Sequence, residues 1–207
     1  MTSSQSTQTL LTRDFSSWTS MLVLTLTLLC SAGTPGLCCD WLQHYGHLSN
    51  VSLTLVQTMG NQLTDEESPV SFPYRLYERI MNDKEDNQLV FIRDSLELMA
   101  KLYRHDNRSS VTWDANKMER FLMIIHRQIH GLNLCVSTQI TRNTRLRRYY
   151  RRLEKKTLYS TGGSPASWEL IRKESKLHLD QLNQLWGFMV ESASASRGRS
   201  KANRPQH

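Results

Sequence analysis

Long apolar runs are missing from this 207-residue chain: its one concentrated apolar stretch, MLVLTLTLLC at Met21–Cys30, spans only ten residues. That is too short for a membrane-crossing helix and suits the apolar core of a secretory signal. Cysteine is scarce as well. Cys30, Cys38 and Cys39 sit close together, and only Cys135 follows them, so no zinc-type cysteine spacing exists. Alternating strand patterns are rare, which argues against a sheet. Catalytic signatures are absent: there is no Gly-x-Ser-x-Gly elbow, no phosphate-cradling loop and no paired catalytic carboxylates. His126 and His130 share the i, i+4 spacing of a metalloprotease motif. Arg127 stands where that motif needs its Glu base, and no third ligand accompanies them. We therefore expect neither an enzyme, nor a metal, nor a cofactor.

What is present begins with the leader. Ser31–Gly36 (SAGTPG) follows the apolar run with the small residues of a cleavage region. A cut after Cys38 puts Gly36 and Cys38 at the −3 and −1 sites and leaves Cys39 and Cys135, an even count. A cut after Gly36 leaves three thiols, one of them unpaired in an oxidising compartment. Parity favours residues 1–38 as leader and a mature chain from Cys39. Met21 is a second candidate start that gives a leader of more ordinary length. Two glycosylation sequons, Asn50-Val51-Ser52 and Asn107-Arg108-Ser109, agree with secretion.

Residues 39–207 are enough for one domain with a real core. The net charge of +7 is uneven: residues 142–156 hold eight basic groups and one acidic, and 191–207 add a net +3. The remainder is slightly acidic. Along 142–156, Leu146, Tyr149 and Leu153 form an apolar seam and Arg145, Arg148, Arg152 and Lys156 an outer edge. An acidic receptor surface, an anionic glycan or a lipid headgroup is the partner such an edge attracts outside cells. No helix-turn-helix pattern, zinc spacing or exposed aromatic platform points to nucleic acid.

Helical periodicity recurs. It is carried by Trp41, Tyr45, Leu48, Ser52, Leu55 and Met59, and then by Leu89, Ile92, Leu96, Met99 and Tyr103. Met118, Phe121, Leu122, Ile125, Ile129 and Leu132 follow. The basic stretch adds Leu146, Tyr149, Tyr150, Leu153 and Leu158, and the last segment Trp168, Ile171, Leu179, Leu182, Trp186 and Met189. A short helix over 73–81 completes six. Pro73 and Pro165 suit first helical positions, and Ser164 suits an N-cap. Breaks fall at 60–70, 106–110 and 160–165. The tail 191–207 offers no apolar stripe and reads as disordered. Amphipathic helices without strands must bury their stripes against one another, so the expected fold is an all-α bundle over 39–190. A bridge from Cys39 to Cys135 would close a loop worth about 4–5 kcal/mol on the chain-entropy model.

Three segments carry a resemblance: CDWLQHYGHLSNVSLTLVQTMG from Cys39, FPYRLYERI from Phe72 and WELIRKESKLHLDQLNQLW from Trp168. They resemble the type I interferons, most closely those of bony fish, over about Cys39–Met189. The most specific piece is Ser167–Glu174. Many members read Cys-Ala-Trp-Glu there, with that Cys bonded to one in the loop after the first helix. Here Ser167 precedes Trp168, and loop 60–72 has no Cys. Both partners are missing together, as in the two-cysteine fish subgroup, whose single bridge maps to Cys39 and Cys135.

The resemblance implies a helical cytokine bundle with long crossovers. It also implies a monomer that binds a pair of class II cytokine receptor chains and drives JAK–STAT signalling and antiviral gene expression. It places the high-affinity receptor on the loop after the first helix and on the exposed side of the last. The expected contacts are Leu63 in the loop and Arg172, Lys173, Lys176 and Leu177 on the helix, with Leu177 standing where many members have Arg. Trp168 and Glu169 belong to the family motif, Trp168 as core. The second receptor is expected on helices two to four. Two rivals are a cationic, membrane-active defence protein on the same bundle and another helical cytokine subfamily.

Overall fold

The structure is a computed structural model that describes residues 41–105, 110–136 and 143–202, with side chains except at 41–43 and 196–202. The chain divides into two units, Met1–Cys38 and Cys39–His207, and every described residue lies in the second. The leader, Cys39, Asn107 and Arg142 fall outside the described residues.

The periodic stretches form six α-helices: α1 Trp41–Thr58, α2 Tyr74–Met81, α3 Glu85–Leu102, α4 Ala115–Cys135, α5 Thr144–Glu154 and α6 Pro165–Ala202. A π-helical turn, Lys155–Tyr159, continues α5. Among the described residues there is no strand. Helix starts follow from short polar side chains that satisfy free backbone N–H groups. Asp114 accepts from the Lys117 N–H (3.0 Å), Asn143 from those of Arg145 and Leu146 (3.1 Å each), and Ser164 from that of Ser167 (3.3 Å). Pro165 opens α6 as expected, whereas Pro73 sits one residue earlier than expected, at the N-cap of α2.

The first long helix packs chiefly on α4 and α6 and not on α3, the next long helix in sequence; α3 packs on α4, α6 and α5. This pairing, with 59–73 carrying the chain across, is the crossover arrangement of a cytokine bundle and not an up-and-down one. The core holds nearly every residue of the expected stripes. Tyr45, Leu96, Met99, Tyr103, Phe121, Ile125, Leu146, Leu153, Trp168, Ile171, Leu179 and Leu182 are buried. Polar side chains bond helix to helix inside the core and fix their register. Gln128 Nε2 donates to Ser52 Oγ (2.8 Å, α4 to α1), and Tyr103 OH to Ser175 Oγ (3.1 Å, α3 to α6). Tyr77 OH meets His178 Nδ1 (2.5 Å, α2 to α6), and Tyr149 OH donates to Glu174 Oε2 (2.5 Å, α5 to α6).

Two local features depart from the sequence reading. The π turn lets Leu153 and Leu158, five residues apart, both face the core, where both are fully buried. In a regular helix that step would rotate Leu158 well off the seam. Gly163 closes the end by donating its N–H to Leu158 O (2.8 Å), with Gly162 and Gly163 at φ +64° and +76°, values that glycine adopts without a Cβ clash. The second departure is a correction: residues 191–202, expected to be disordered, prolong α6 to Ala202. Propagating an existing helix adds one hydrogen bond per residue and needs no new nucleus, and 191–202 contain no Pro and a single Gly, Gly198, which the helix passes through.

Candidate functional site

Loop 59–73 and the side of α6 that faces it are brought together by one residue. Arg172 is 0 % exposed, and its guanidinium is spent on backbone carbonyls. Nη1 donates to Val56 O (3.3 Å) and Gln57 O (3.1 Å) in the last turn of α1. Nη2 donates to Asn61 O (2.6 Å) and Gln62 O (3.3 Å) in the loop. Its charge is met by Glu169, through Nε (2.8 Å) and Nη2 (2.7 Å) to Oε2. A helix C-terminus leaves carbonyls unpaired and carries partial negative charge, so a cation there satisfies both demands.

Neighbouring groups complete this end of α1. Lys117 Nζ donates to Thr58 O (3.0 Å), and the Asp114 N–H to Met59 O (2.7 Å). Trp113 Nε1 donates to Glu169 Oε1 (2.6 Å), so Glu169 links Arg172 to the segment before α4. A Cβ on Gly60 would lie 2.7 Å from Trp113 Cδ1 and 3.1 Å from Arg172 Cζ, and only glycine leaves the chain room to pass so close.

Further along the loop, Lys173 Nζ donates to Glu66 O (2.7 Å). The far end is anchored by Val70 and Phe72. Val70 is buried, and Phe72 stacks on Tyr77 (centroids 5.6 Å, planes 10° apart) and contacts His178 (4.6 Å). Burial holds His178 down to about 3, so the ring is neutral. Burial also raises Glu174, against the lowering effect of hydrogen bonds from Tyr149 and Ser68. With both ends and the middle tethered, the loop presents Asn61, Gln62, Asp65, Glu66, Glu67 and Pro69 to solvent and half-buries Leu63.

Of the expected contact residues, Leu63, Lys173, Lys176 and Leu177 are half-buried at or next to this surface. Lys176 pairs with Asp180 at 2.6 Å. Arg172 requires a correction, because a side chain with no exposed surface, both Nη groups on backbone carbonyls and Nε on the Glu169 carboxylate is no free contact. It builds the platform. The sequence carried this signal: Arg172 lies four residues after Trp168 and one after Ile171, on the core stripe of α6. Trp168 is core as expected, fully buried against Trp113 (6.0 Å) and Tyr103 (6.1 Å). Sequence reasoning missed Trp113, Asp114, Lys117 and Gly60, whose contacts with α1 and α6 are long-range and leave no local pattern. It also missed the acidic run Asp65–Glu67, which the platform exposes although its buried and half-buried supports are basic.

Outside the platform, Cys135 is disulfide-bonded. Asn50 is exposed on α1, as are His126 and His130 on α4. Among the described residues no three His, Cys, Asp or Glu side chains converge as metal ligands, and no helix is long and apolar enough to cross a membrane. The exposed edge of α5 comprises Arg145, Arg147, Arg148, Arg151 and Arg152, and Lys155 and Lys156 continue it on the π turn.

Residues 42–189 match the interferon alpha/beta domain. The chain is 40% identical over 159 residues to interferon a3 of Oncorhynchus mykiss, a match covering 76% of this chain and 90% of that protein. Its fold superposes on that of zebrafish interferon 1 with a TM-score of 0.64 and 31% identity, covering 72% of this chain and 99% of the other. Domain match, sequence identity and bundle topology agree: the chain belongs to the type I interferons and is similar to their fish members.

Proposed function

We propose that the protein is secreted from Cys39 onward and signals by bringing two class II cytokine receptor chains together, which activates JAK–STAT and antiviral transcription. The observation that carries this reading is the platform of loop 59–73 on α6. It has no catalytic geometry, yet Arg172 and Lys173 of α6 donate to its carbonyls at Asn61, Gln62 and Glu66 and hold its backbone in one shape. A preordered loop loses less entropy on docking, and that is the use of such construction in a binding protein. Leu63, Lys173, Lys176 and Leu177, with the exposed Asp65–Glu67 run beside them, are the high-affinity contacts; Arg172 and Glu169 hold them in place. The second receptor chain uses a separate face on α2–α4. Cys39 is the partner of Cys135, and Asn107 is the glycan acceptor. Surface plasmon resonance with the receptor ectodomains tests the site. Substituting Leu63 and Lys173 together must weaken one receptor and spare the other, and equal affinity for both would refute the assignment. N-terminal sequencing of the secreted product tests the start at Cys39.

A further inference from the structure

A groove of about 420 Å³ runs between the C-terminal half of α3 and α5. Lys101, Arg104, Arg147 and Arg151 line it, opposed by only two acids, Glu97 and Glu154. It opens into a second hollow of about 480 Å³ that shares Lys101, Arg104 and Glu154 and ends at His105 and Tyr159. Lys101 and Glu154 stand 3.9 Å apart, too far for a hydrogen bond, and the lysine side chain is 61 % exposed. Arg147 and Arg151 lie one helical turn apart, roughly 6 Å along the axis. They form a row parallel to the groove, and Arg148 and Arg152 form a second row beside it. None of these residues belongs to loop 59–73 or to α6.

We propose that this groove binds a sulfated polysaccharide of the cell surface or matrix. Arg147 and Arg151 grip successive sulfates, Lys101 and Arg104 meet the anions on the opposite wall, and Tyr159 packs against a sugar ring. Guanidinium forks match planar, multi-oxygen anions better than lysine does, and each of the five exposed α5 arginines has a further basic residue three or four positions on. The cleft form suits a linear polyanion lying along it. Tyr159 is 63 % exposed at the end of the groove, with its ring set edge-to-face with His105 at 5.2 Å. A lipid surface fits less well. Interfacial helices need an apolar face to insert, and on α5 Leu146, Tyr149, Tyr150 and Leu153 are already buried in the core.

The test uses the mature protein on immobilised heparin, with chemically desulfated heparin, anionic phospholipid vesicles and single-stranded DNA as competing probes. One variant combines Arg104→Ala, Arg147→Ala and Arg151→Ala. A control removes the same charge elsewhere through Arg75→Ala, Arg120→Ala and Arg127→Ala. Expected are an at least tenfold loss of heparin affinity in the groove variant, roughly the effect of removing several charge-assisted contacts, and little change in the control. Tyr159→Ala is expected to weaken binding at unchanged charge, and desulfated heparin is expected not to bind. In the wild type, heparin should shield Arg147 and Arg151 from phenylglyoxal, a readout that does not depend on any variant folding. Equal losses in groove and control variants, or vesicles or DNA binding as tightly as heparin through the same arginines, would overturn the proposal. So would unprotected Arg147 and Arg151.

Discussion

Replacing Arg172 with Ala separates two roles that sequence position alone confuses. The substitution removes hydrogen bonds to four backbone carbonyls, at Val56, Gln57, Asn61 and Gln62, and strips Glu169 of its cation. Breaking a fully buried charge network costs about 3–5 kcal/mol. Two discounts apply here. Glu169 keeps 26 % of its side chain exposed, so solvent screens much of its lost pairing, and the loop carbonyls recover water once the loop loosens. About 3 kcal/mol is the reasonable expectation, read as a fall in the urea midpoint or, for a domain of this size, a drop of about 6–12 °C in Tm. Arg172→Lys keeps the charge but offers three donors from one point, and should lose about half as much. Loop 59–66 should exchange its amide hydrogens faster in both variants. Stability within about 0.5 kcal/mol of wild type in Arg172→Ala, combined with lost receptor binding, would refute the reasoning and make Arg172 a direct contact.

Lys173→Ala with Lys176→Ala removes exposed or half-exposed pairings and should cost at most about 1 kcal/mol of stability while weakening receptor affinity; unchanged affinity in surface plasmon resonance would remove α6 from the site. His178, held down to about 3 when folded against 6.5 when free, binds a proton in the unfolded chain first. Stability is therefore full above about pH 6.5 and declines by up to ~1.4 kcal/mol per unit as pH falls toward 3. Glu174, raised by burial, takes its proton earlier when folded and so opposes part of that decline at the acid end. His178→Gln should flatten the urea-midpoint profile between pH 6.5 and 4.5, and an unchanged slope would clear His178 of the effect. Reducing the protein, or replacing Cys135 with Ser, should lower Tm by the loss of up to about 4–5 kcal/mol. Identical melting with and without reductant would exclude a stabilising bridge.

Most of the bundle was legible because burial imposes a period on the sequence. Tyr45 to Met59, Leu89 to Tyr103 and Trp168 to Met189 each repeat at steps that only a helix face can bury, and Ser164, legible as an N-cap, starts the last of them. The five-residue step from Leu153 to Leu158 was visible too, but its meaning was not, since a π turn is seen only once both leucines must reach the same core. The site was less legible. Arg172 lies on the core stripe, yet arginine is rarely buried and the sequence alone favours a surface cation; its compensation comes from carbonyls more than a hundred residues away, which no local pattern announces. The continuation of α6 past Met189 escaped for the opposite reason: helix propagation there rests on backbone bonds and no core stripe.

The most direct test of signalling through receptors is STAT phosphorylation in fish cells exposed to the purified mature protein, with matched cells lacking either receptor chain. Receptor signalling predicts phosphorylation and antiviral transcripts at low protein concentration in the intact cells and none in the knockouts. No response in receptor-bearing cells, or an antiviral effect that persists without the receptors, as a membrane-active cationic protein would give, contradicts it.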